Sequence, residues 1–255
     1  MTLVLRETDW AKQMIERQTL GSSPYETLRR IARYYIDLGK TKTETKKSIE
    51  KYVESCMKNS SILKWSKTID AAVSYAAKHP AVNVECINIT ADELKTIEFI
   101  TLGRQAQRLA FTLLCLSKYW NICTGTNEFW VNSADSEIMQ MANIKTSIKR
   151  QCKLYHDLRE AGLISFSHRV DCNNIRVNFA NDDSDTAMEI TDLRNLGNQY
   201  LMQIGEPYFS CAECGVVSKL VNPQAGRKQK YCYECAAKVA AAQKLEYTHK
   251  SRQVS

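Results

Sequence analysis

The stretch TSIKRQCKLYHDLREAGLISF (residues 146–166) changes its hydrophobic period part-way along. Up to Gly162 it reads as a helix, with Ile148, Cys152, Tyr155 and Leu158 directed to a core. Thr146, Ser147, Lys149, Arg150 and Lys153 occupy the other side of its N-terminal half. Thr146 is a capping type of residue, and Gly162 stands where a helix-ending glycine belongs. Beyond the glycine the period falls to two. LISFSHRV and IRVNF alternate, so Ile164, Phe166, Ile175, Val177 and Phe179 can share one sheet face. Asp171-Cys172-Asn173-Asn174 supplies the loop between the two strands.

The residues before this stretch fit the same unit. RQAQRLAFTLLCLSKYW is apolar nearly all round and must be largely buried. A short extended piece, EFWVN, follows it. Ser133 is then placed to cap ADSEIMQMANI, a short helix carrying Ile138, Met139 and Met141, and a turn at Asn143-Ile144-Lys145 leads to Thr146. Helix, short strand, short helix, turn, longer helix and β-hairpin, with the phrase LREAGLISF, resemble a winged helix-turn-helix over residues 104–180. Three cations and two hydroxyls on the first half of the second helix suit the major groove, where such a helix reaches base edges and phosphates. His168, Arg169 and Arg176 on the hairpin are placed to reach an adjacent backbone or minor groove. Two alternatives stand beside this. Winged helices also dock proteins, and cations on a helix are often just a solvated face.

Toward the C-terminus, CAECGVVSKLVNPQAGRKQKYCYEC (residues 211–235) holds two C-x-x-C pairs bracketing seventeen residues. That spacing fits a four-cysteine zinc site with Cys211, Cys214, Cys232 and Cys235 as ligands. Four protein ligands close the coordination sphere, so the expectation is one structural Zn2+. Gly215 relaxes the first knuckle, while Asn222-Pro223 and Gly226 supply turns in the loop. A redox pair is a poorer reading, because two pairs occur with no thioredoxin-like pattern around them. The module has too little apolar content for a core, so the ~10–16 kcal/mol typical of structural zinc would provide most of its folding energy. Arg227, Lys228 and Lys230 precede the second knuckle, and an Ala-rich basic tail follows it. A cationic loop held on a metal clip suits phosphate contact, which positions a reader, while base contact specifies. The bland alternative is a solubilising face and a frayed tail.

The first hundred residues read mostly as helices. Ser23-Pro24-Tyr25-Glu26 opens one that carries Leu28, Ile31, Ala32, Tyr35 and Leu38 on one face and ends at Gly39. A lysine-rich connection with Lys40, Lys42, Lys46, Lys47 and Lys51 leads to a helix bearing Ile49, Tyr52, Val53 and Cys56. VNVECINI has the character of a strand, and Thr90-Ala91-Asp92-Glu93 is a capping-box pattern. The expected fold class is mainly α with a small β component. It comprises a helical N-terminal domain (1–103), the winged helix-turn-helix (104–180), an acidic linker with a helix (181–207) and the zinc ribbon with its basic tail (208–255).

Bulk properties bound the function. At 255 residues with 25% charged, the chain is long enough for one large domain or two to three small ones and too apolar for global disorder. No apolar run approaches a membrane span, and MTLVLRETDWAK is neither a signal nor a transit peptide, so a cytoplasmic place in a bacterial host cell is expected. The net charge of +7 is unevenly placed. Residues 211–255 carry eight Lys/Arg against three Glu, whereas residues 181–206 carry six acids against one Arg. A basic end points to a polyanion, DNA first and RNA as an alternative. The acidic stretch from Asp182 to Asp192 would link the modules and keep the ribbon from binding nonspecifically.

DWAKQMIERQTLG, PYETLRRIARYYI, RLAFTLLCLSKYW, WVNSADSEIMQMANI, TSIKRQ and GRKQKYC together make the whole chain resemble a group of uncharacterised phage and mobile-element proteins of bacteria. That resemblance implies a job in replication initiation, transcriptional control or interference with a host system. An N-terminal helical domain would then serve a homodimer or a host or phage protein partner. The alternative function is a protein-interaction module or inhibitor of a host nucleoprotein machine. Catalysis is not expected. No H-x-E accompanies the cysteine pairs and no phosphate-cradling glycine motif occurs. None of His79, His156, His168 and His249 neighbours a serine or cysteine in a nucleophile motif. A metal-dependent nuclease would have to draw on Glu93 with Glu98, or on Asp182, Asp183 and Asp185.

Overall fold

The computed structural model describes residues 3–57, 61–167, 174–183, 185–223 and 229–253, with side chains described up to residue 246. The chain is mainly helical, with small sheets and a cluster of four cysteines. It divides into two compact units, Met1–Cys86 and Ile87–Ser255. No helix among the described residues is long and apolar enough to cross a membrane.

The first unit is built from α1 (Glu7–Arg17), α2 (Pro24–Asp37), α3 (Lys42–Cys56) and α4 (Ser66–Ala76). Its core collects Ala11, Leu28, Ile31, Ala32, Ile49, Tyr52, Val53, Ile69, Ala72, Val73 and Ala76. The lysine-rich connection is not a loop. Thr41 and Glu44 form a reciprocal capping box that starts α3 there, and Lys46 pairs with Asp70 at 2.6 Å. Leu38, expected inside, is exposed, while Arg30 and Arg33 are buried on α2. Their partner is the buried Glu7 carboxylate, which meets Arg33 Nη1 at 2.6 Å and Arg30 Nε at 3.5 Å and accepts from the Val82 amide at 3.1 Å. Burial works against the Arg33 charge, but Glu7 outweighs it and holds that pKa above its ordinary value. The start and end of the unit also pair through their backbones, with Val84 N donating to Leu5 O at 2.8 Å and Glu7 N to Val82 O at 3.1 Å.

The strand-like run VNVECINI is therefore shared between the units. Its second half is β1 (Ile87–Thr90), which pairs antiparallel with β5 (Thr186–Ile190), Ile87 opposite Ile190. α5 (Ala91–Glu98) follows β1 through the Thr90–Glu93 capping box. β1 and α5, read from sequence with the N-terminal domain, thus fold with the second unit. So does the stretch read as an acidic linker, which supplies β5 and α9 (Leu196–Gln203). Pairing between strands a hundred residues apart leaves no local trace in a sequence, so a run of acids there reads as a connection.

At the centre of the second unit lies α6 (Arg104–Thr124), buried without interruption from Leu109 to Tyr119. Around it stand β2 (Trp130–Val131), α7 (Asp135–Met141), α8 (Ile148–Glu160), β3 (Ile164–Phe166) and β4 (Ile175–Val177). The three strands form one antiparallel sheet in the order β2-β4-β3, with Ile164 opposite Val177 and Val131 opposite Ile175. Ile164, Ile175 and Val177 are buried, whereas Phe166, at the end of the same face, is 36% exposed. Ser133 does not cap α7. Its hydroxyl accepts from Trp120 Nε1 at 3.1 Å instead.

A helix buried on every side must satisfy its own polar groups inside the protein. Lys118 of α6 does so with four oxygens: Glu93 Oε1 at 3.0 Å, Asp182 Oδ1 at 2.9 Å, Asn88 O at 2.9 Å and Asn181 O at 2.7 Å. Glu93 is fully buried and also accepts from the Thr90 and Asn181 amides. Removing one partner of such a pair leaves a buried charge unmatched. Lys118→Met is expected to cost about 3–5 kcal/mol in denaturant unfolding. A loss under about 1 kcal/mol would show that the pair is dispensable.

Candidate functional site

The four cysteines expected to hold a metal ion sit on a hairpin and a helix start. β6 (Tyr208–Ser210) and β7 (Val217–Lys219) pair antiparallel, and their connection is the first cysteine knuckle. Cys211 N donates to Val216 O at 3.1 Å and Gly215 N to Cys211 O at 2.9 Å. Gly215 takes a φ of +73°, the left-handed region in which a side chain would be strained. Cys232 immediately precedes α10 (Tyr233–Gln253), and Cys235 lies in its first turn. Ala212 N donates to Lys230 O at 2.9 Å and Cys232 N to Cys211 Sγ at 3.3 Å, tying the knuckles together.

All four Sγ atoms lie within 4.8 Å of one another. Cys214 Sγ is 3.8 Å from Cys232 Sγ. A tetrahedron with metal–sulfur bonds of about 2.3 Å has edges of about 3.8 Å. A disulfide requires about 2.05 Å, and all four cysteines are free. The chemistry of the donor set therefore fits a thiophilic metal ion. Desolvation opposes the Cys211 thiolate, but backbone amides of Cys232, Cys214 and Glu213 outweigh it and pull the thiol down to about 6. Burial, followed by the three neighbouring thiols, pushes Cys235 up to about 12, and burial also raises Cys214.

Sequence reading missed what surrounds this cluster. Arg194 donates to the Cys214 carbonyl at 2.7 Å, and its Nε is held by Asp192 Oδ2 at 2.8 Å. This places a fixed cation beside the thiols. Asn195 and Asn198 donate to the Val217 carbonyl of β7 at 3.3 and 3.1 Å. The same Asn198 accepts from Asn143 Nδ2 at 2.9 Å. Asn143 is the turn between α7 and α8, at a φ of 52°. Arg108 of α6 closes the chain of contacts, donating to the Ala142 carbonyl at 3.0 and 2.7 Å and to that of Asn143. At the end of α7 a guanidinium also complements the helix dipole. Gly197 permits the approach, since a Cβ there would overlap the Ala142 carbonyl. Polar links thus run from the cysteine hairpin to the α7–α8 turn, where sequence suggested an appended module. The signal was weak but present: Asn195, Gly197 and Asn198 are poor helix formers at the start of a helix.

On α8 the side chains named for nucleic-acid contact divide as follows. Lys149, Arg150 and Lys153 are exposed on the outer face. Ser147, rather than Thr146, is the N-cap, its hydroxyl accepting from Arg150 N. Thr146 is half-buried, and its carbonyl accepts from Gln151 Nε2 at 3.0 Å. The expected inner face is corrected in its first turns: Ile148 is 78% exposed and Cys152 is exposed, while Leu154, Tyr155 and Leu158 are buried. The core beneath α8 begins only at its second turn. Lys153 stands 3.7 Å from Asp157, so the unpaired cationic character concentrates at the N-terminal end. Arg176 is exposed on β4, and its Nε donates to Glu128 O at 3.1 Å. Lys230 is exposed beside the second knuckle. His168, Arg169, Arg227 and Lys228 lie outside the described residues.

Two of the five carboxylates named for nuclease work are committed elsewhere. Glu93 is buried against Lys118, and Asp182 pairs with the same ammonium. Among the acids expected to restrain the ribbon, Asp192 also meets a local cation, Arg194. Among the described residues, the four cysteines are the group of His, Cys, Asp and Glu placed to hold a metal ion. Comparison with protein-family models, with curated proteins and with solved structures gives no match.

Two variants probe this geometry. Arg194→Ala removes the cation beside the thiols and is expected to weaken metal affinity about tenfold or more in competition with a chelator. Asn198→Ala is expected to accelerate amide hydrogen exchange in residues 143–150 as well as at Val217. Exchange confined to the hairpin would mean that the relay transmits nothing.

Proposed function

We propose that the chain is a DNA-binding protein whose second unit contains a winged helix-turn-helix and a structural zinc ribbon. The observation that carries this reading is the outer face of α8, where Lys149 and Arg150 stand exposed at the N-terminal end of a helix anchored by Leu154, Tyr155 and Leu158. A helix in the major groove uses that end for base edges and phosphates. The element order and the β2-β4-β3 sheet beside the helix pair support it. So does Arg108, which holds the turn between the two helices and so limits their relative movement.

Four thiolates with no open position favour Zn2+ in a structural role. Lys219 and Lys230 beside the clip are suited to phosphate contact. The helical first unit is assigned to assembly or to a protein partner, on the strength of the exposed Leu38 and Leu63. In a phage or mobile-element setting, within the cytoplasm of a bacterial host, such a protein would control transcription or start replication. RNA binding or docking on a host nucleoprotein machine is the competing reading. Catalysis is not part of the proposal.

Fluorescence anisotropy against duplex DNA, single-stranded DNA and RNA, each across a salt series, tests it. Zinc-loaded protein should prefer duplex, with a logarithmic salt slope of about −0.9 per phosphate contacted. Lys149→Ala or Arg150→Ala should weaken duplex binding and, for a phosphate contact, reduce the slope by about one. Absence of binding to all three at low salt would turn the case to a protein partner.

A further inference from the structure

Ile148 is the residue whose placement the core does not explain. It is 78% exposed at the first position of α8, and the helix packs inward through Leu154, Tyr155 and Leu158 without it. Its surroundings are not apolar. Lys145, Lys149 and Arg150, all within three residues of it, are exposed, and Cys152, one turn on, is exposed too. The first turn is also held in place. Ser147 Oγ accepts from Arg150 N, and Gln151 Nε2 donates to Thr146 O at 3.0 Å. A branched aliphatic side chain is thus presented to solvent at a fixed position on a helix start that also carries exposed cations.

A partner that matches this surface carries dense negative charge and an apolar spot between the charges. Duplex DNA has that combination in its major groove, where the 5-methyl of thymine lies between two phosphate backbones. We infer that Ile148 is a specificity-determining residue that packs on a thymine 5-methyl group while Lys145, Lys149 and Arg150 engage the flanking phosphates. The inference rests on the DNA-binding reading above and adds a base preference to it. Phosphate contacts alone carry no sequence information, so discrimination at this point of the groove falls to the apolar side chain.

The test uses full-length, zinc-loaded protein. A duplex is first enriched from a randomised pool, and each thymine in it is then replaced singly by deoxyuridine, which keeps the hydrogen-bonding edge and lacks only the methyl. Wild-type protein is expected to lose about fourfold in affinity at one or two positions, the scale of one buried methyl. Ile148→Ala should bind the thymine duplex about as weakly as wild type binds the deoxyuridine one, and should be blind to the replacement. Ile148→Val should retain part of the discrimination. Thermal melting should be unchanged in both variants, since the side chain is outside the core. Equal wild-type affinity for all thymine and deoxyuridine duplexes would overturn the inference while leaving DNA binding intact. Discrimination that survives in Ile148→Ala would overturn it as well. No enrichment of any duplex would remove the DNA-binding reading, and this assignment with it.

Discussion

The second unit is organised around a helix that has no solvent side. α6 is buried along its whole middle, yet it carries a lysine and an arginine among its leucines. An ammonium in such a place persists only if oxygens surround it, and Lys118 gathers them from β1, α5 and the chain leading to β5. A single side chain thereby ties together segments ninety residues apart. Leucine at the same place would bury as well but would not select which segments pack there. The ion pair with Glu93 therefore acts chiefly on the arrangement of the unit.

Arg108, ten residues earlier on the same helix, plays the corresponding part on the other side. Its guanidinium takes the carbonyls at the end of α7 and thereby fixes the turn into α8. Asn143 in that turn passes a hydrogen bond to Asn198, and Asn198 passes one to β7 beside the cysteine knuckle. The four-cysteine cluster and the cationic helix are in this way two outlets of one packed body. A metal ion held by these cysteines would set the position of neighbouring elements in addition to that of its own hairpin. The Arg194–Asp192 pair reinforces the attachment at the first knuckle.

Local signals proved legible. Thr90 with Glu93, Pro24 at the start of α2 and Gly162 at the end of α8 are all short-range devices, satisfied by atoms within a few residues of one another. The four cysteines were legible for the same reason, because each pair sets its own spacing. What escaped were features that depend on distant partners. The acids at 182–192 read as a linker, yet Asp182 and Asp192 are bound to cations and the chain between them forms a strand. Ile148 and Cys152 fit the periodicity of an inward face, but the neighbouring core does not extend beneath the first turn of α8.

The sequence by itself therefore indicated most of the helices, the Thr90–Glu93 capping box, the hairpin strands β3 and β4, and the four cysteines that cluster. Each of these depends on residue type and near-neighbour spacing. Tertiary structure alone decided that β1 and α5 belong to the second unit, that the cysteine hairpin is held to the α7–α8 turn, and that Ile148 stands exposed on the surface. Those outcomes depend on which backbone carbonyls and carboxylates a buried cation can collect, and on where the core ends. Neither is encoded within the reach of a helical turn.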